Sequence, residues 1–333
     1  MARRWPSLGI AAALLAGLAV TAGAVLWLTR AEPSASQLAV ALAAKDGSAV
    51  PRSHKATYAP PLGPQPLLEH GNAEVLAEGA FHSVMDWDHP VRTYRIGAAT
   101  ITVRRPRSDS DDRPGLLISV PGQPDYRLET DKARFLEVGV GQIDPGAPGP
   151  QILYSDYTGG AHCCADYRLI TPRTDGRPGW RVVVVAEQLD GGIVDWPRDR
   201  DGDGVPDLMV IDDAFLHFGP YQDRSRPLRF FQVEGGQVRD VSRNPGFRAE
   251  YLADMRRKEP SCREGLPSAC AGFVAAAEMA GDGPRAWAIL EASYDRKAWA
   301  GWMPSEDFPK LLRGVLTDLG YAPAKPGGTR TQK

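Results

Sequence analysis

Residues 199–212 read DRDGDGVPDLMVID, an acidic turn that runs straight into an apolar strand. Calcium takes six to eight oxygen ligands at about 2.3–2.6 Å, and alternate aspartates at Asp199, Asp201 and Asp203 suit one wrapped cation. Gly204 permits the sharp turn, the carbonyl of Val205 is a backbone ligand, and Asp207 returns a fourth carboxylate. An EF-hand would place a bidentate Glu at the twelfth position, where this chain has Val210, and would continue into a helix rather than LMVID. The expected site is therefore Asp199, Asp201, Asp203, Val205 and Asp207 around Ca2+. The plain alternative is a solvated acidic turn, which leaves four like charges clustered without a counter-ion. Magnesium fits less well because it favours tight octahedral sites that keep water.

Outward from this turn, residues 74–245 alternate short apolar runs with Pro, Gly and Asp clusters, the pattern of a β domain. YRIGAATITVRR (94–105), GLLISV (115–120), RFLEVGV (134–140), QILYSDY (151–157), YRLITP (167–172), WRVVVVAE (180–187) and LRFFQVEGGQVRDV (228–241) are the strand-like stretches. In the last, Gly235 and Gly236 supply the positive φ angles of a tight hairpin.

At the acidic turn the sequence resembles the calcium loop of FG-GAP or VCBS-type repeats, whose Asp-rich turn joins two strands of a propeller-like β unit. The stretch VGQIDPGAPGPQILYSDYTGG (140–160) repeats the same order of elements, but Gly146 and Pro148 stand where the second and third aspartates would be. No metal is expected there. YTGGAHCC (157–164), the calcium loop and the helical tail together resemble a family of uncharacterised exported bacterial proteins over about residues 75–322. That resemblance carries no reaction with it and implies a binding or scaffolding surface.

After Pro245 the period becomes helical. FRAEYLADMRRK (247–258) puts Phe247, Tyr251, Leu252 and Met255 on one face, ACAGFVAAAEMAG (269–281) follows, and Asp282 and Pro284 open a further helix. A last helix is expected from Ser305 to Gly320, with Leu312, Val315, Leu316 and Leu319 buried. Residues 246–322 thus read as a small helical domain, and 323–333 as a disordered tail. CREGLPSAC (262–270) with the helices after it is similar to cysteine-rich TPR-like repeats, which implies a Cys262–Cys270 disulfide.

The N-terminus sets the expected compartment. Leu8–Leu28 carries no charge, and at about 1.5 Å per helical residue it spans the roughly 30 Å hydrocarbon core. Arg3 and Arg4 precede it, so residues 1–30 read as an inner-membrane anchor with the bulk outside; a signal peptide cleaved near TAGA (21–24) is the rival. Residues 31–73 are an Ala/Pro/Ser-rich linker. The 39 basic and 41 acidic residues are mixed along the chain, leaving no electrostatic footprint for nucleic acid.

Cys163 and Cys164 keep several readings open. Adjacent Cα atoms are closer than a relaxed disulfide wants, yet an oxidising compartment favours bridged sulfurs. A vicinal disulfide, unpaired structural cysteines, a transition-metal site and a Cys–His nucleophile all remain. The remaining histidines show no ligand spacing, DWDH (86–89) reads as a solvated turn, and no nucleophile-elbow, phosphate-loop or dinucleotide motif occurs. The expected role is a membrane-anchored, calcium-stabilised binding or scaffolding module of the envelope, its ligand an envelope protein or a glycan. The alternative is an exported hydrolase or thiol-redox enzyme working through His162, Cys163 and Cys164.

Overall fold

The computed structural model describes residues 73–84, 89–105, 113–132, 134–159, 164–218, 225–295 and 308–322. The expected anchor and linker, the DWDH acids up to Asp88, His162, Cys163 and the tail lie outside these residues. Among the described residues no helix is long and apolar enough to cross a membrane.

The architecture is mainly β with C-terminal helices. Strands β1 (Glu74–Leu76), β3 (Val91–Ile96), β4 (Ala99–Arg104), β5 (Gly115–Ser119) and β6 (Tyr126–Glu129) form one sheet in the order β1-β3-β4-β5-β6. A second sheet, in the order β10-β9-β8-β7-β2, contains β2 (His82–Ser83), β7 (Arg134–Gly141), β8 (Gln151–Tyr157), β9 (Ala165–Pro172) and β10 (Trp180–Leu189). The third is β11 (Asp207–Ile211), β12 (Leu228–Glu234) and β13 (Gln237–Asp240), paired in that order. Apart from β1, which runs parallel to β3, and β2, which pairs with β7, each sheet is an antiparallel meander of consecutive strands.

Side-chain alternation assembles these sheets into layers. In β4, Ala99, Ile101 and Val103 point inward, while Thr100 is exposed. They pack on Val138, Val140, Ile152, Tyr154 and Ile170 of the second sheet. Leu153, between Ile152 and Tyr154, points the other way and joins Tyr167, Leu169 and Val183 against Leu208, Val210 and Val233 of the third sheet. Met209 and Phe230 then use the far face of the third sheet to meet Phe247, Tyr251 and Ala280 of the helical segment. Strands with both faces buried lose the polar alternation of a surface strand, which is why ILY and LMV read as unbroken apolar runs.

The helices are α1 (Arg248–Arg263), α2 (Pro267–Ala280), α3 (Gly283–Ser293) and α4 (Phe308–Asp318). The apolar stripe of α1 runs Tyr251, Met255, Cys262, and the helix continues through Pro260 although its predicted pattern fades at Lys258. Cys262 is fully buried and bonded to Cys270 of α2 (Cα–Cα 4.4 Å), so packing and the covalent staple hold the last turn that proline disfavours. Pro267 starts α2 and Gly281, at φ 79°, ends it in the left-handed region. Its interior is alanine-rich and nearly all buried, and a side chain on Gly272 would run into the Ser225 carbonyl. The hairpin expected at 235–236 joins β12 to β13 with Gly235 at φ 57° and Gly236 at φ 70°. All described residues fall within one compact unit, Pro61–Lys333, so the β part and the helices share a continuous interior.

Candidate metal centre

The acidic turn sits where the third sheet meets the start of the helical segment. Asp199, Asp201 and Asp207 each bring a carboxylate oxygen to within 4.8 Å of the others. Glycines make the wrapping possible: Gly202 (φ 83°) and Gly204 (φ 88°) take left-handed conformations. The Asp199 carboxylate accepts the Gly202 N–H at 2.7 Å and the Gly204 N–H at 3.1 Å, which curls the turn around it. Asp207, fully buried as the first residue of β11, accepts the Arg200 N–H at 2.7 Å.

Asp203 lies beside this group, in contact with Asp201. Its Oδ2 accepts a hydrogen bond from Gln232 on β12 at 2.9 Å, and its Oδ1 accepts the Val205 N–H at 2.8 Å. The same Gln232 amide donates to Asp207 Oδ1 at 2.9 Å. The sequence-predicted ligands are thus neighbours in one turn, three with convergent oxygens and Asp203 held beside them by Gln232.

The electrostatics follow from this crowding. Burial pushes the Asp207 carboxyl up to about 6, with the Asp201 and Asp203 charges adding to the rise. Asp201 is raised by burial and then by Asp203 and Asp199, whereas the Gln232 hydrogen bond lowers Asp203. A carboxylate raised by burial and then by like charges beside it is one that a nearby cation would restore to its charged form. The donor set is all oxygen, which suits a hard divalent ion.

Several contributors carried no local sequence signal. Asn244, which caps the single helical turn before α1, donates from Nδ2 to Asp201 Oδ2 at 2.6 Å. A Cβ on Gly246 would meet Asp201 Cβ at 2.5 Å, so only glycine lets the chain pass so close. The Arg200 side chain is 2% exposed and bridges Asp195 to Glu250 of α1, the latter at 3.1 Å.

The upstream turn is closed by side-chain hydrogen bonds. Gln151, the first residue of β8, accepts the N–H groups of Ile143 and Asp144 at 3.0 and 2.7 Å and donates to the Asp144 carbonyl at 2.7 Å. This neutral side chain leads its strand as Asp207 leads β11, and Gln142 donates to the Asp144 and Ala147 carbonyls at 2.7 and 3.1 Å. Asp144 accepts the amides of Gly146, Gly235 and Gly236, which binds the turn to the β12–β13 hairpin.

At the other singled-out stretch, Thr158 and Cys164 close the neck of the β8–β9 connection. The Thr158 N–H donates to the Cys164 carbonyl and the Cys164 N–H to Thr158 Oγ1, each at 2.9 Å. Cys164 carries its sulfur in a disulfide, and no free cysteine occurs among the described residues. The partner of that sulfur lies outside the described residues. Just below the neck, Asp156 and Asp166 are direct cross-strand partners, both buried and bridged by Arg168 at 3.3 and 3.5 Å. Burial raises Asp156, while Arg168 and Thr130 oppose the rise. Lys132 adds a second cation at 3.2 Å from Asp166, and Arg168 also reaches Glu187 at 3.3 Å, so the buried carboxylates are paired as a structural tie.

No family model and no solved structure matches the chain. Among curated proteins it is similar to an uncharacterized protein of Sinorhizobium fredii, with 30% identity over 210 residues, 56% of this chain and 32% of that protein. It is also similar to a probable thylakoid lumen protein of Synechocystis, with 28% identity over 209 residues, 55% of this chain and 60% of that protein. The chain spans less than two thirds of the length of either relative.

Proposed function

We propose that this protein is an exported, membrane-anchored binding or scaffolding module whose β domain is stabilised by one calcium ion. The observation that carries the proposal is the convergence of Asp199, Asp201 and Asp207 within 4.8 Å at the junction of sheet and helices. Asp199, Asp201 and Asp207 would hold the ion, with Asp203 and the Val205 carbonyl completing an oxygen shell. Bound there, calcium supplies positive charge that offsets the mutual repulsion of the aspartates. The resemblance of this turn to FG-GAP and VCBS-type loops supports the choice of ion, and the consecutive meanders support a propeller-like reading of the sheets.

Export is supported by the uncharged Leu8–Leu28 segment, by the sulfurs of Cys164, Cys262 and Cys270 all being in disulfides, and by the lumenal name of the Synechocystis relative. The bridged sulfur of Cys164 also favours a binding module over a thiolate enzyme, because only a reduced thiolate is nucleophilic. The partner in this reading is an envelope protein or a glycan.

Thermal unfolding with calcium and with chelator tests the reading. At free calcium about 100 times its dissociation constant, mass action adds about 2.7 kcal/mol of stability. Asp207→Asn should remove that increment. A melting temperature indifferent to calcium and chelator would reject the site.

A further inference from the structure

We draw no further inference here: the strongest candidate, the arginine-lined crevice at the ends of β3, β4 and β7, where Arg92, Arg104, Arg105 and Arg134 surround Val84 and Phe135, carries nothing because its basic groups already have partners, Arg92 in Glu74 at 2.7 Å and Arg104 in Glu129, so its charge selects no anion.

Discussion

The Asn244 side chain donates to Asp201 at 2.6 Å, joining the acidic turn to the residue that caps the entry to α1 across 43 positions of sequence. The same Asn244 accepts the Gly246 N–H through Oδ1 at 3.0 Å, so one amide serves both the turn and the cap. Asn244→Ala should therefore cost about 1–2 kcal/mol in chemical denaturation, the usual loss of an N-cap with an added hydrogen bond. Asn244→Asp keeps the cap but sets a fifth carboxylate against Asp201. It should be more destabilising in chelator than in calcium, and an equal loss in both conditions would disconnect the cap from the proposed calcium site.

Asp144 offers the matching control. Its replacement by Ala leaves the Gly146, Gly235 and Gly236 amides without their acceptor, and because these glycines are exposed or half-buried, water takes over part of the loss. Asp144→Ala should lower stability by about 1–2 kcal/mol while the proposed calcium-dependent increment stays unchanged. Loss of that increment would mean that the two turns are not independent.

The Cys262–Cys270 bridge closes a short loop between α1 and α2 and is fully buried. On the chain-entropy account the Cys262→Ser, Cys270→Ser double variant loses about 2.5 kcal/mol. Urea denaturation of the oxidised double variant against wild type measures this, and equal midpoints would show that α1–α2 packing alone is sufficient.

The pH response of the helical segment should pass through Glu259. Arg285, reinforced by Arg263, holds the Glu259 carboxyl down to about 2, with contacts at 2.8 and 2.7 Å. A folded-state value below the unfolded one stabilises the protein above the unfolded value and ceases to do so as pH falls through the folded one. Relative to Glu259→Gln, wild type should be more stable by about 1 kcal/mol at neutral pH, the scale of a small, partly solvated ion-pair network. The difference should shrink as pH drops below the ordinary glutamate range and vanish near the folded value. Paired melts at stepped pH test this, and a constant difference across that window would assign the effect to packing.

Much of the site was legible in the sequence, because the chemistry of a turn is local. Alternate aspartates with Gly202 and Gly204 among them specify a wrapped acidic loop within nine residues, and Gly235–Gly236 and Gly320 specify a hairpin and a helix end in the same way. Strands β1 and β2 escaped that reading, since three and two residues carry no period and their pairing with β3 and β7 is settled at a distance.

Local sequence determined the acidic turn, the meander hairpins and the helix ends, because each depends on φ preferences and side-chain reach over a few residues. Only the tertiary structure decided which faces are buried. Leu153 and Tyr154 are equally apolar, yet one packs on the third sheet and the other on the first. Likewise, Asp144 lies in a turn that repeats the order of elements of the acidic loop, and folding makes it the acceptor for amides 91 and 92 positions away. Gln232, Arg200 and Glu250 gain their roles in the same manner, since long-range contacts arise from the packing of whole sheets and helices and leave no pattern in their own neighbourhoods.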